Sequence, residues 1–198
     1  MKEVLTIKQP KMKKILFLLV LTFFAGNIFA QEIHLTRNGK ISFFSHTAVE
    51  DIKAENNQVF SSINTKTGAL QFLVLIKGFQ FKNASMQQHF NDVEYMNSSV
   101  YPKSEFKGTI KDLSKVNFSK DGVYPVQVEG NLTLHGVTNS IQTEGIIRIQ
   151  KGKIESESKF KISLADYKIK IPSIVTAKIA ESVDVTIRCA YEPYKTNP

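Results

Sequence analysis

The most reactive side chains in this sequence are four histidines, His34, His46, His89 and His135, and one cysteine, Cys189. Two histidines share a metal when they stand on one face of a helix turn or on alternate positions of a strand, and no pair here does. The HExxH, CxxC, GxSxG and phosphate-loop patterns are all missing from the sequence. Glu50 and Asp51 are neighbours, but strand alternation aims them at opposite faces, so they cannot act as a catalytic carboxylate pair. His46, in Phe43-Phe44-Ser45-His46-Thr47, is the best-placed polar group for contact with a ligand. If the chain were an enzyme, His46 or His89 beside a carboxylate would be its acid–base group. His135 falls at a turn with outward parity. Cys189 has no second cysteine to pair with, and in Val183-Asp184-Val185-Thr186-Ile187-Arg188-Cys189 it falls on the apolar row. It reads as a small buried hydrophobe. This chemistry points away from an enzyme and calls for no cofactor and no metal.

What must position these residues begins after residue 30. Lys11, Lys13 and Lys14 precede an uncharged apolar run over residues 15–25, and Asn27-Ile28-Phe29-Ala30 ends on a small residue before Gln31. That is the order of a secretory signal peptide, and the run is too short for a stable transmembrane span. Residues 1–30 are therefore expected to be removed, leaving residues 31–198 as one exported domain with a real core. Without the five lysines and one glutamate of the leader, the net charge falls from +8 to +4. Arg37, Arg148 and Arg188 are the only arginines, and the lysines are scattered along strands. A nucleic-acid reader would cluster its basic residues, so no nucleic-acid partner is expected.

Through the domain the repeating signal is period two, the mark of strands with one wet and one dry face. Residues 126–135, 141–150, 154–164 and 183–191 alternate in this way. Turn signals at His135-Gly136, Lys151-Gly152-Lys153 and Asp166-Tyr167, with a longer connection around Pro172, make them an antiparallel meander. Earlier strands are expected at 40–46, 59–65 and 104–111. Residues 70–81 form the greasiest segment, with apolar residues on both faces, so both faces are expected to be covered. Residues 84–90 are the one helical stretch, placing Met86, His89 and Phe90 on one side. The fold class is thus all-β, antiparallel, with about eight strands and one short helix. A closed barrel would remove exposed edges and hold one small ligand; a two-sheet sandwich would satisfy the same alternation.

The dry rows carry Phe43, Phe72, Val74, Phe106, Leu132, Leu134, Ile147, Phe160, Ile162, Val185 and Ile187. These are either a packed core or the lining of an apolar binding cavity.

Several segments resemble the YceI-like family. Gly130-Asn131-Leu132-Thr133-Leu134-His135-Gly136-Val137-Thr138 is similar to its G-x-L-T-hydrophobic-x-G-V-T segment, and Tyr101-Pro102-Lys103-Ser104-Glu105-Phe106 to its Y-P-x-x-x-F. His89-Phe90, Phe43-Phe44-Ser45-His46 and Phe160–Tyr167 follow the pattern in the same order, so the resemblance spans most of residues 40–191. It departs at Ala48-Val49-Glu50-Asp51-Ile52-Lys53, where a glycine-containing stretch is expected. The resemblance implies a lipocalin-like β-barrel, exported to the periplasm and often a homodimer, holding a polyisoprenoid or similar long lipid in an apolar channel. The eleven dry-row residues would then be its ligand-binding residues. The competing expectations are a cavity-less barrel serving envelope stress or protein interaction, and a lipid-modifying enzyme.

Overall fold

The computed structural model describes residues 32–194; the expected leader lies outside the described residues. The strands are β1 (Ile33–His46), β2 (Asp51–Asn64), β3 (Ala69–Leu75), β4 (Gln80–Phe81), β5 (Lys103–Ile110), β6 (Gly122–Leu134), β7 (Val137–Gln150), β8 (Lys153–Ser163) and β9 (Ser182–Pro193). One α-helix, α1 (Ala84–Asn91), stands between β4 and β5. Its cap is Asn83, whose side chain accepts a hydrogen bond from the Ser85 N–H.

All pairings are antiparallel, in the order β1-β9-β8-β7-β6-β5-β3-β2, and β2 pairs back onto β1. The eight long strands therefore close into a barrel, which decides between the two architectures that alternation permits. The two-residue β4 adds to the free side of β2 through Ala54–Phe81 and Glu55–Gln80. The expected meander is present, β6 pairing with β7, β7 with β8 and β8 with β9. Its tight turns use left-handed residues: His135 and Gly136 at φ 50° and 75°, and Lys151 and Gly152 at 51° and 75°. That pair of positive φ values matches the twist of a two-residue hairpin.

The barrel has two unlike ends. At one lie α1, the β6–β7 turn and the connection over residues 164–181; at the other lie the β7–β8 turn and residues 111–121. The second end is a solid plug of Ile63, Ile110, Val116, Ile149, Ile154, Cys189 and Tyr191. Within it the Tyr191 hydroxyl lies 2.9 Å from Ser61 Oγ and 3.2 Å from Ser156 Oγ, so three hydroxyls satisfy one another away from water. Burial pushes the Cys189 thiol up to about 11, and the thiolate that would react is scarce at neutral pH. In the folded protein, Ellman's reagent at mildly alkaline pH is expected to leave Cys189 untouched. In concentrated urea the same reagent should titrate the chain's single cysteine. Rapid labelling without denaturant would show that the plug opens.

Five strand expectations need correction; two are simple extensions, β1 starting seven residues before the expected position 40 and β7 four before 141. Residues 70–81 do not form one strand covered on both faces. β3 stops at Leu75, a 3₁₀ turn over Ile76–Gly78 shifts the phase, and Phe79 turns inward, whereas Leu75 is exposed on the outer wall. β2 starts eight residues before the expected position 59. Its buried row runs through Ala54 and Asn56, then Val59, Ser61 and Ile63, so the parity changes at an irregularity opposite Gly39. Asn56 is fully buried on that row; its Nδ2 donates to the Leu75 carbonyl at 2.9 Å and its Oδ1 accepts from the Gln58 N–H at 2.8 Å. β6 also starts early and contains Pro125. Residues 122–126 have ladder partners on β7 alone, a free edge on which a missing N–H is tolerated.

Candidate functional site: an apolar cavity inside the barrel

Above the plug the strands do not meet across the axis. They enclose a cavity of about 500 Å³, within the ~300–1,000 Å³ range of small-molecule sites. All eleven residues of the dry rows line it: Phe43 from β1, Phe72 and Val74 from β3, Phe106 from β5, Leu132 and Leu134 from β6. Ile147 from β7, Phe160 and Ile162 from β8, and Val185 and Ile187 from β9 complete that set. They converge because each is at the inward parity of its strand. A filled interior, the premise of the cavity-less barrel, is therefore not what these rows build.

Sequence periodicity missed the roof. Phe43 packs with Phe79, Phe81 and Phe90 at centroid distances of 5.4, 5.8 and 5.6 Å, and Phe81 meets Phe90 at 5.0 Å. These four rings draw β1, the 3₁₀ segment, β4 and α1 together at the helix end of the cavity. Met86 and His89 join Phe90 from α1, as the helical spacing predicts, and Met96, Ile169 and Ile179 come from the flanking connections. Phe79 and Phe81 were hidden by the phase shift after Leu75. Ile169 and Ile179 lie in a stretch without periodicity.

Polar atoms in the wall are largely committed to the protein. Ser45 Oγ, buried, accepts from the Ala180 N–H at 3.0 Å and pins the residue 164–181 connection to β1. Ser104 Oγ donates to the Thr133 carbonyl at 2.8 Å. Glu157 accepts from Arg148 and from Arg188, each at 3.2 Å, and these guanidinium groups hold its carboxyl below the usual carboxylate range. Glu50 lies 4.0 Å from Lys178 at the rim. What remains exposed to the cavity is mostly hydrocarbon, which gains from any apolar surface placed against it.

His46 does not make the expected polar contact. Ser45 faces the cavity, so His46 beside it faces out, mostly exposed, with Nδ1 2.6 Å from Asp51 Oδ1. This is the sole histidine–carboxylate pair among the described residues, and it stands outside the barrel. His89 does line the cavity, in the last turn of α1. Among the described residues no cluster of three or more histidine, cysteine or carboxylate side chains could hold a metal. His135, at its turn, lies 3.1 Å from the Tyr167 carbonyl through Nδ1 and packs edge-on against Tyr101.

The sequence matches the profile of the YceI-like domain over residues 32–191. No curated protein matches it. Among solved structures, the chain is similar to a polyisoprenoid binding domain from Saccharophagus degradans implicated in plant cell wall breakdown. The TM-score is 0.72 at 16% identity, with 83% of this chain and 99% of that one covered. It is also similar to Burkholderia cenocepacia BcnA, with TM-score 0.61, 11% identity and coverage of 78% and 96%. For a Campylobacter jejuni YceI protein the TM-score is 0.54 at 17% identity, with 80% and 86% covered. At these identities the structural likeness is one of fold. The profile match, running from β1 into β9, carries more: the chain belongs to the YceI-like domain family.

Proposed function

We propose that this protein is an exported carrier or store for a long apolar lipid of polyisoprenoid type, held inside the barrel, with no catalytic step of its own. The observation that carries this reading is the cavity: about 500 Å³, walled by apolar side chains and plugged at one end. An isoprenoid tail offers no hydrogen bonds, so its affinity comes from area removed from water. At ~0.8 kcal/mol per buried carbon, each five-carbon unit contributes up to ~4 kcal/mol before ordering costs. A closed barrel is already organised for such a guest. The polyisoprenoid-binding description of the Saccharophagus degradans domain, which shares the fold, supports the same reading. The leader over residues 1–30 supports export to the periplasm.

The test is a chain-length series. Geraniol, farnesol and geranylgeraniol titrated calorimetrically into delipidated protein are expected to gain at least ~tenfold in affinity per added unit, only ~1.4 kcal/mol of the available term. The heat-capacity change on binding should grow more negative along the series. Affinity independent of chain length would remove the hydrophobic channel from consideration.

A further inference from the structure

The β7–β8 ladder is incomplete. Its register runs from Gln150↔Lys153 to Gly145↔Ser158 and stops. Beyond that point β7 continues on β6 as far as Val137, and β8 continues on β9 as far as Ser163, but the two are not paired with each other. Residues 140–144 thus face residues 159–163 across a seam about 17 Å long at ~3.4 Å rise per residue. Ser158 Oγ donates to the Glu144 carbonyl at 2.6 Å, taking up a backbone acceptor where the ladder ends. The helix end of the seam is tied shut. Asn139 Nδ2 donates to the Asp166 carbonyl at 2.8 Å, and the His135 ring meets the Tyr167 carbonyl next to it. The result is a window with a fixed sill and a fixed lintel.

Two further observations give the window depth. A second cavity, of about 520 Å³, occupies it, and three of its walls, Ile141, Phe160 and Ile162, are also walls of the interior cavity. At the sill the interior cavity is lined by Ile146 and Glu157 as well as by their inward neighbours Ile147 and Ser158. Ile146 and Glu157 have outward parity and still pair with each other, so the interior cavity extends to the closed rungs immediately beneath the window. Unpaired strand edges in a barrel wall are costly unless something serves them, and closure is the usual remedy.

We infer that the seam between β7 and β8 is the portal through which the apolar ligand passes sideways into the barrel. The chain slides in along the seam, its tail reaching Phe160 and Ile162, while its polar end stays among the polar edge residues Ser140, Gln142 and Ser163. This rests on the lipid-carrier reading, and it assigns the roof of α1 and its phenylalanine cluster to packing, not to a moving lid.

The test bridges the seam after folding. Gln142 and Lys161 continue the register across the gap with outward parity. In the Gln142→Cys, Lys161→Cys double variant the two thiols are joined by a short bis-maleimide with a cleavable disulfide; buried Cys189 does not compete. Retinol, an isoprenoid whose fluorescence rises in apolar surroundings, reports uptake in stopped flow. The bridged protein is expected to take up retinol at least about tenfold more slowly than the same variant capped with N-ethylmaleimide, and reductant should restore the rate. If the thiols do not bridge, Thr143→Trp, which sets an indole at the sill, serves the same comparison. Uptake by the bridged or Thr143→Trp protein at the unblocked rate overturns the portal. Wild-type protein that takes up no retinol at all overturns the carrier reading instead.

Discussion

Phe160→Trp is expected to leave the barrel folded while cutting its bound lipid at least about tenfold. Phe160 sits where the interior cavity meets the seam and is only half-buried, so a larger ring has room to be accommodated. An indole there is expected to shift the melting temperature by no more than ~4 °C, the equivalent of ~1 kcal/mol for a domain of this size. The same ring stands in the path of a lipid tail. Phe160→Ala provides the complementary number. In a solid core that change costs roughly 3–5 kcal/mol, but a side chain that already borders empty space loses less, here about 1–2 kcal/mol. Thermal melts and extracted lipid should be measured on the same preparations. Unchanged lipid loading in Phe160→Trp, or collapse of its fold, would contradict a channel at this position.

Gly130→Ala is expected to be far more damaging to the fold, although it adds one methyl group. Gly130 on β6 pairs with Gly108 on β5, and the Phe106 ring lies over both. A Cβ at position 130 would stand 2.4 Å from the Lys107 carbonyl oxygen, 2.5 Å from Gly108 Cα and 2.7 Å from Phe106 Cζ. Two of these three contacts are backbone, so the strands themselves must part. The cost is expected at the top of the overpacking range, about 3 kcal/mol or more, read as a lower urea midpoint with little change in slope. Because the clash is with backbone, adding Phe106→Ala should not restore stability. A rescue by that second change would mean the ring alone sets the requirement for glycine.

Parity made most of the site legible before any coordinates. A residue's face in a strand follows from counting by twos, so Leu132, Leu134, Phe160, Ile162, Val185 and Ile187 could be aimed inward from alternation alone. Counting fails where the chain breaks phase. The irregularity opposite Gly39 moves the buried row of β2 from Asn56 to Val59, and the 3₁₀ turn after Leu75 brings Phe79 into the cavity instead of the outer wall. His46 was misplaced for a simpler reason: an aromatic-rich strand end suggested a pocket, but the inward position belongs to Ser45. The seam could not be read at all. β7, apart from a slight break at Ile146, and β8 both alternate, and whether two such strands pair along their full length depends on how each is held by its other neighbour. Closure was likewise open in the sequence, since the β1–β9 ladder joins segments far apart in the chain.

The most direct measurement is native mass spectrometry of the protein purified from its native cells without detergent, followed by organic extraction and identification of what is released. The expected result is a chain beginning at Gln31 that carries one apolar lipid of isoprenoid type, and the same chain without that mass after extraction. A fully natured chain that is ligand-free in every preparation, and that also fails to take up geranylgeraniol when it is supplied, would contradict a lipid-holding barrel.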